Sequence, residues 1–427
     1  MLQDNKASSW LFPVADLRAL SEREYHYNAY SNTLLDQYMQ PFWRWLIEYV
    51  PTYVTASTIS LCGLVCNVMA TCITVYYAPT LTEPLPAWLS ITNAVSIFLY
   101  QTFDGLDGKQ CFRTQDSEME EYADHAVDSI SVTLNAVLLA AALQLGDSTF
   151  LLGTNFLLAM TAFFAAHWAA QRTNSLVFGS IDVTEAQWVM IAIHIANAVG
   201  GSTLWDTSIM PILSVSSREV LAISSTIPLF FAIYENSKLA LDLQDTPLET
   251  HGIRIPRSRF SIRPLRTYAV IVFGSMLCFA CGLLSVLTVP TLLIVGLSLG
   301  RAGTRLILQK FVRRPGLDLD AAAFAPLGLS VLHIFCGDDF GLFSQSAWLI
   351  ALALTLEVFW FHTRAMLDLS TARNIDIFYI RRQSGEKRPQ SNGFYVSNGE
   401  FTKVKRNWDN FAADHKRMKA TYDRSSR

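Results

Sequence analysis

Charge is scarce in this chain. Only 16% of its 427 residues are Asp, Glu, Lys or Arg, well below the roughly 25% usual for soluble domains, which excludes an ordinary water-facing globular surface. Basic residues are missing from particular stretches as well: 78–85, 146–149 and 337–341 hold no Lys or Arg. Cysteine forms no framework. Cys62, Cys66, Cys72, Cys278, Cys281 and Cys336 fall within or at the ends of apolar runs, without metal-ligand or disulfide spacing, and read as small packing residues. No internal repeat is present, which argues against a transporter built from inverted halves. Residues 1–45 are polar and mixed, without the pattern of a secretory signal.

What the chain has instead is apolar length. Runs near the roughly 17–25 residues that cross a bilayer occur at 54–77, 85–103, 127–145, 150–170, 186–205, 212–234, 268–287, 290–308, 321–336 and 346–367. The ninth is short, and Pro290 offers a bend within a helical hairpin. The reading is an all-α polytopic membrane protein with about ten transmembrane helices. With the N-terminus cytosolic, the basic residues collect on one side: Lys109, Arg113, Arg172, the segment 254–266, Arg313, Arg314 and the tail from Arg373, with Arg218 the exception. Residues 34–49 place Leu34, Leu35, Tyr38, Met39, Phe42, Trp43, Leu46 and Ile47 at helical spacing. That pattern fits an N-terminal interfacial amphipathic helix, and equally a helix packed on other cytosolic segments. The tail from Arg381 is basic and polar with Gly, Ser and Pro breaks, and reads as a flexible cytosolic extension.

Four aspartates gather where the second and third runs meet. Asp104 and Asp107 follow one run; Asp124 and Asp128 open the next. Carboxylates three and four apart share a helix face, so each pair forms a patch on the cytosolic side. Such patches repel unless a divalent cation neutralises them, and all-oxygen sites suit Mg²⁺ or Mn²⁺. Glu121, Asp124, His125 and Asp128 stand at i, i+3, i+4 and i+7, one helical stripe. His125 is the natural general base, with Glu121 one turn earlier to orient it; Asp128 is the rival base. His167 fits substrate contact or packing with Trp168, and His194, His333 and His362 read as structural. Glu357, inside the last run, is costly to bury and is a functional candidate.

Asp104-x-x-Asp107-Gly108 followed by Asp124-x-x-x-Asp128 resembles the CDP-alcohol phosphotransferase family, whose pattern is D-x-x-D-G-x-x-A-R, a spacer, then G-x-x-x-D-x-x-x-D. The likeness is closest to its eukaryotic choline/ethanolamine phosphotransferase branch. It includes Gln40-Pro41-Phe42-Trp43, Trp45-Leu46, Tyr100-Gln101, Lys109-Gln110, Arg113-Thr114, Ala166-His167-Trp168 and the run from Phe178 through Asp182 to Glu185. It extends over about residues 20–370.

The resemblance implies transfer of phosphocholine or phosphoethanolamine from CDP-choline or CDP-ethanolamine to diacylglycerol, with CMP released. It implies Asp104, Asp107, Asp124 and Asp128 as ligands of two Mg²⁺ or Mn²⁺ ions, and His125, Glu121 and Asp128 as catalytic candidates. Gly108, Lys109, Gln110, Arg113, Ser57, Gly63 and His167 become substrate-binding candidates. Residues 51–240 would be catalytic, 241–370 supporting and dimerising, with 1–50 a cytosolic segment and 371–427 the tail. The implied setting is the endoplasmic reticulum membrane, Golgi second, with lipid substrates, a homodimer and no nucleic acid.

The sequence departs from the family pattern in several places. Cys111-Phe112 replace Ala-Arg, Glu120 stands where Gly is expected, the spacer is one residue shorter, and Ala56-Ser57 replace the branch's Pro-Asn. The alternatives are a divergent member that binds lipid or nucleotide without turnover, and a membrane transporter.

Overall fold

Each of the ten apolar ranges is mostly helical over its described residues, as a backbone in hydrocarbon must satisfy its own polar groups. The computed structural model describes residues 11–23, 25, 28–31, 33–177, 179, 181–210, 215–242, 248–250, 253–255, 261–313, 319–336, 340–380, 394–397 and 400–403. Two helices precede the apolar ranges: α1 (Val14–Ser21) and α2 (Asp36–Leu46). Then come α3 (Ala56–Tyr77), α4 (Ala87–Arg113), α5 (Glu118–Ala142), α6 (Thr149–Thr173), α7 (Val183–Gly200) and α8 (Ser217–Leu241). The C-terminal half adds α9 (Arg263–Ala280), α10 (Leu283–Val286), α11 (Thr288–Val312), α12 (Ala325–Cys336) and α13 (Phe340–Arg373). Among the described residues, five helices are long and apolar enough to cross a membrane: Ala56–Tyr77, Glu118–Ala142, Thr149–Thr173, Thr288–Val312 and Phe343–Arg373. The chain is an all-α, multi-pass membrane protein.

Local sequence explains where helices start. The Thr55 hydroxyl accepts the Thr58 N–H at the head of α3, and Ser117 accepts the Glu120 N–H at the head of α5. Glu118, Glu120 and Glu121 fill the first turn of α5, where negative charge suits the helix dipole. Asp182–Glu185 and Ser216–Glu219 form reciprocal capping boxes on α7 and α8. Pro290 sits in the first turn of α11, where no helical donor is lost. The hairpin bend lies earlier, at Gly282 with φ +78°.

α11 is the buried axis of the bundle, packed against α5, α6 and α13. Its approach to α5 depends on Gly300. A Cβ there would lie 2.6 Å from the Ser129 carbonyl oxygen, so only glycine lets the two backbones meet. This contact brings the end of α11, with Lys310, beside the start of α5.

One face of α2 packs inward. Met39, Trp43 and Ile47 are buried with Ile59 and Leu106, while Tyr38, Trp45 and Tyr49 remain exposed. The helix packs against α4 and keeps an aromatic outer face.

A small sheet supplements the helices, in the order Leu176–Val177, Asn28–Ser31, Phe394–Ser397, Glu400–Lys403. The first two junctions are parallel and the last antiparallel. Part of the tail thus forms strand rather than extension. The overlooked signals are β-prone Phe394-Tyr395-Val396 and the following Asn398-Gly399, a hairpin pair. Phe178, Arg314, residues 256–260 of the basic segment, residues 337–339 and most of the tail lie outside the described residues.

Candidate active site

The end of α4 and the start of α5 bring the four aspartates together. One set of candidate ligand atoms comes from Asp104, Asp107 and Asp124, another from Asp124, His125 and Asp128, with the atoms of each set within 4.8 Å of one another. Asp124 belongs to both. Asp107 and His125 are buried; Asp104, Asp124 and Asp128 are half-buried. Ser60 on α3 donates to Asp107 Oδ2 at 2.6 Å and the Gly108 N–H donates to Oδ1 at 2.6 Å. The Tyr100 hydroxyl donates to Asp128. These donors fix carboxylate direction, as partners of metal ligands do. The set is rich in hard oxygen donors and fits a divalent cation.

Asp104 and Asp107 lie just past the apolar run that ends at Phe103. Burial pushes the Asp107 carboxyl up to about 8, with the Ser60 hydrogen bond opposing it. Asp104 is raised as well, by burial first and then by the charge of Asp128. Burial pulls the neighbouring Lys109 down to about 8. Carboxylates that resist ionising together do so readily beside a divalent cation, which replaces their protons.

His125 faces both of its expected partners. Its Nε2 lies 3.9 Å from Glu121 Oε1 and its Nδ1 lies 3.8 Å from Asp128 Oδ2. His167 stands edge-on to it, ring centres 5.0 Å apart, and is anchored through Nδ1 to the Phe163 carbonyl at 2.7 Å. Glu121 is itself held from outside the motif: Lys310 Nζ donates to Oε1 at 2.5 Å and the Tyr25 hydroxyl to Oε2 at 2.7 Å. Tyr25, Ser60, Tyr100 and Lys310 were not legible as site residues. Lys310 lies just beyond an apolar run, where a lysine ordinarily marks only the membrane boundary.

The substrate-binding candidates divide. A Cβ on Gly108 would meet nothing within 4 Å, so the backbone there borders open space. Lys109 Nζ donates to the Gly105 carbonyl at 2.7 Å and lies over the Trp43 ring at 5.2 Å. Gly63 packs against Tyr100 and Phe103. Gln110 Nε2 donates to the Pro51 and Val54 carbonyls at 2.9 and 2.6 Å. Arg113 binds the Ile47 and Val50 carbonyls and Gln110 Oε1. Gln110 and Arg113 thus tie α4 to the turn before α3. Glu357 finds Arg301 on α11 at 2.7 Å, and His362 pairs with the Tyr122 hydroxyl at 2.7 Å.

Glu120 and Ser57 interlock. Glu120 Oε2 accepts the Ser57 N–H at 2.7 Å and its hydroxyl at 2.5 Å, and Oε1 accepts Gln115 Nε2 at 2.7 Å. The carboxylate joins the first turn of α3 to the start of α5. Glu120→Ala leaves the buried Ser57 N–H without its acceptor and should cost about 2 kcal/mol, seen as a lower thermal midpoint in detergent. An unchanged midpoint would show that water replaces the carboxylate there.

The same end of the bundle is laced by the last residue of α13 and those that follow it. Arg373 pairs with Glu118, and the Asp376, Ile377 and Phe378 carbonyls accept from Gln115, Thr55 and Thr58. The N-termini of α3 and α5 are thereby tied to the C-terminal helix.

This arrangement has counterparts among known proteins. No family model matches the chain. It is 35% identical over 208 residues to cholinephosphotransferase 1 of Mus musculus, covering 48% of this chain and 52% of that one. It is 33% identical over 253 residues to cholinephosphotransferase 1 of Danio rerio, covering 57% and 66%. An uncharacterized CDP-alcohol phosphatidyltransferase class-I family protein 2 of Dictyostelium discoideum is 34% identical over 185 residues, covering 42% and 44%. The matched region spans about half the length of the first of these relatives. With the paired aspartates of α4 and α5 brought together and these likenesses, the chain belongs to the CDP-alcohol phosphotransferase family.

Proposed function

We propose that this protein transfers phosphocholine or phosphoethanolamine from CDP-choline or CDP-ethanolamine to diacylglycerol, forming phosphatidylcholine or phosphatidylethanolamine and CMP. One observation carries the reading: the aspartate pairs of two adjoining helices come together in two candidate ligand sets that share Asp124, and His125 stands beside Asp128 on the same stripe. Asp104, Asp107, Asp124 and Asp128 would hold two Mg²⁺ or Mn²⁺ ions, which when bound neutralise pyrophosphate oxygens and align the donor. His125 takes the proton of the diacylglycerol hydroxyl as that oxygen attacks the β-phosphorus and the bond to CMP breaks. Glu121 steadies the imidazolium that results. The open space beside Gly108 admits the pyrophosphate, with Lys109 next to it.

In this reading ten spans and a cytosolic N-terminus would put the aspartate site at the cytosolic face, where the nucleotide enters from water and diacylglycerol from the bilayer. The exposed aromatics of α2 lie at the membrane interface. The endoplasmic reticulum is the proposed compartment, and a homodimer the proposed assembly.

Purified protein in diacylglycerol-containing micelles, given Mg²⁺ and radiolabelled CDP-choline or CDP-ethanolamine separately, is expected to form labelled phospholipid with at least one donor. Nucleotide binding without product would replace this reading with that of a non-catalytic family member. Flux without chemistry in vesicles would replace it with a transporter.

A further inference from the structure

The C-terminal helices do more than support the cleft. Lys310, 189 positions from Glu121 in sequence, puts its ammonium on Glu121 Oε1, the same oxygen that faces His125 Nε2. Tyr25 occupies the other oxygen. Both carboxylate oxygens are therefore held, and the carboxylate cannot turn away from the imidazole.

A purely structural role does not explain this lysine. Glu121 and Lys310 side chains are 2% and 5% exposed, and an apolar pair of similar volume commonly packs as well as a buried ion pair. α5 and α11 already meet at the Gly300–Ser129 contact, and α13 grips the same stretch of α5 through the Tyr122–His362 hydrogen bond and the Arg373–Glu118 pair. Docking does not need another grip, and this one ends on the oxygen beside the proposed base.

Resting on the transferase reading above, we infer that Lys310 is a positioning residue for the proton-accepting pair. With Tyr25 it fixes the Glu121 carboxylate against His125. The acid–base geometry is then complete only when α11 and the N-terminal segment are both docked on α5.

The test compares Lys310→Met, Lys310→Arg, Glu121→Gln and the Lys310→Met/Glu121→Gln double variant in full-length protein, using the donor that the wild type turns over. Lys310→Met should lower kcat about 10–100-fold, as loss of a supporting partner does, with donor KM within about twofold. Lys310→Arg should restore most of the rate. The double variant should be no slower than Glu121→Gln alone, because the two residues act as a unit. Fully additive losses, a raised KM with kcat retained, or a Lys310→Met enzyme equal to wild type would overturn the inference. Should Lys310→Met not fold, Lys310→Gln takes its place with the same readings. A wild type that makes no product from either donor overturns the functional reading instead, an outcome distinct from these.

Discussion

Asp124→Asn is expected to fold and to form almost no lipid product, a loss on the order of 10³-fold or more, beyond the ~10–100-fold typical of outer partners of a metal site. Asp124 is the carboxylate common to both candidate ligand sets, so its charge serves whichever position a cation takes. Asparagine keeps the shape and removes the charge. Ser60→Ala supplies the graded comparison. Ser60 touches only Asp107 among the ligands, and its removal should cost about 10–100-fold. Manganese binding, followed by electron paramagnetic resonance without any substrate, should weaken in the same order. If Asp124→Asn binds manganese as tightly as wild type, the metal assignment fails whatever the activity shows.

That these residues were readable, and others not, follows from how far apart the partners lie. The aspartates and His125 announce themselves because helical spacing turns i, i+3, i+4 and i+7 into a face, and their helices are consecutive. Lys310 and Tyr25 reach Glu121 only through tertiary packing, and no local pattern marks a lysine that docks by way of Gly300 on its own helix. Gln110 and Arg113 show the opposite difficulty. Their chemistry suits a phosphate, but the turn before α3 offers carbonyls closer by, and the fold directs their donors there. Glu120 stands out in sequence as an intrusive charge, while its three donors from Ser57 and Gln115 come from α3, 63 residues back, and from the loop before α5. Helix positions followed directly from apolar runs. The tail strands did not, because a short β-prone segment within polar sequence pairs with a partner hundreds of residues away.

Removing the base separates His125 from its rival. His125→Ala should lower kcat by about 10²–10⁴-fold, the range general-base catalysis contributes, while manganese affinity and thermal midpoint stay near wild type. The imidazole is buried, stands within 4 Å of both Glu121 and Asp128, and is edge-on to His167. It can therefore accept a proton and share the resulting charge with two carboxylates. Asp128 is less free to do so, because its carboxylate already accepts from the Tyr100 hydroxyl. If Asp128 were the base, His125→Ala would keep most of its rate, and Asp128→Asn would lose turnover with metal binding intact. If His125 is the base, Asp128→Asn should lose both together. The paired measurement of rate and manganese affinity on these two variants thus assigns the proton, since each carboxylate or imidazole is tested on the one property the other does not supply.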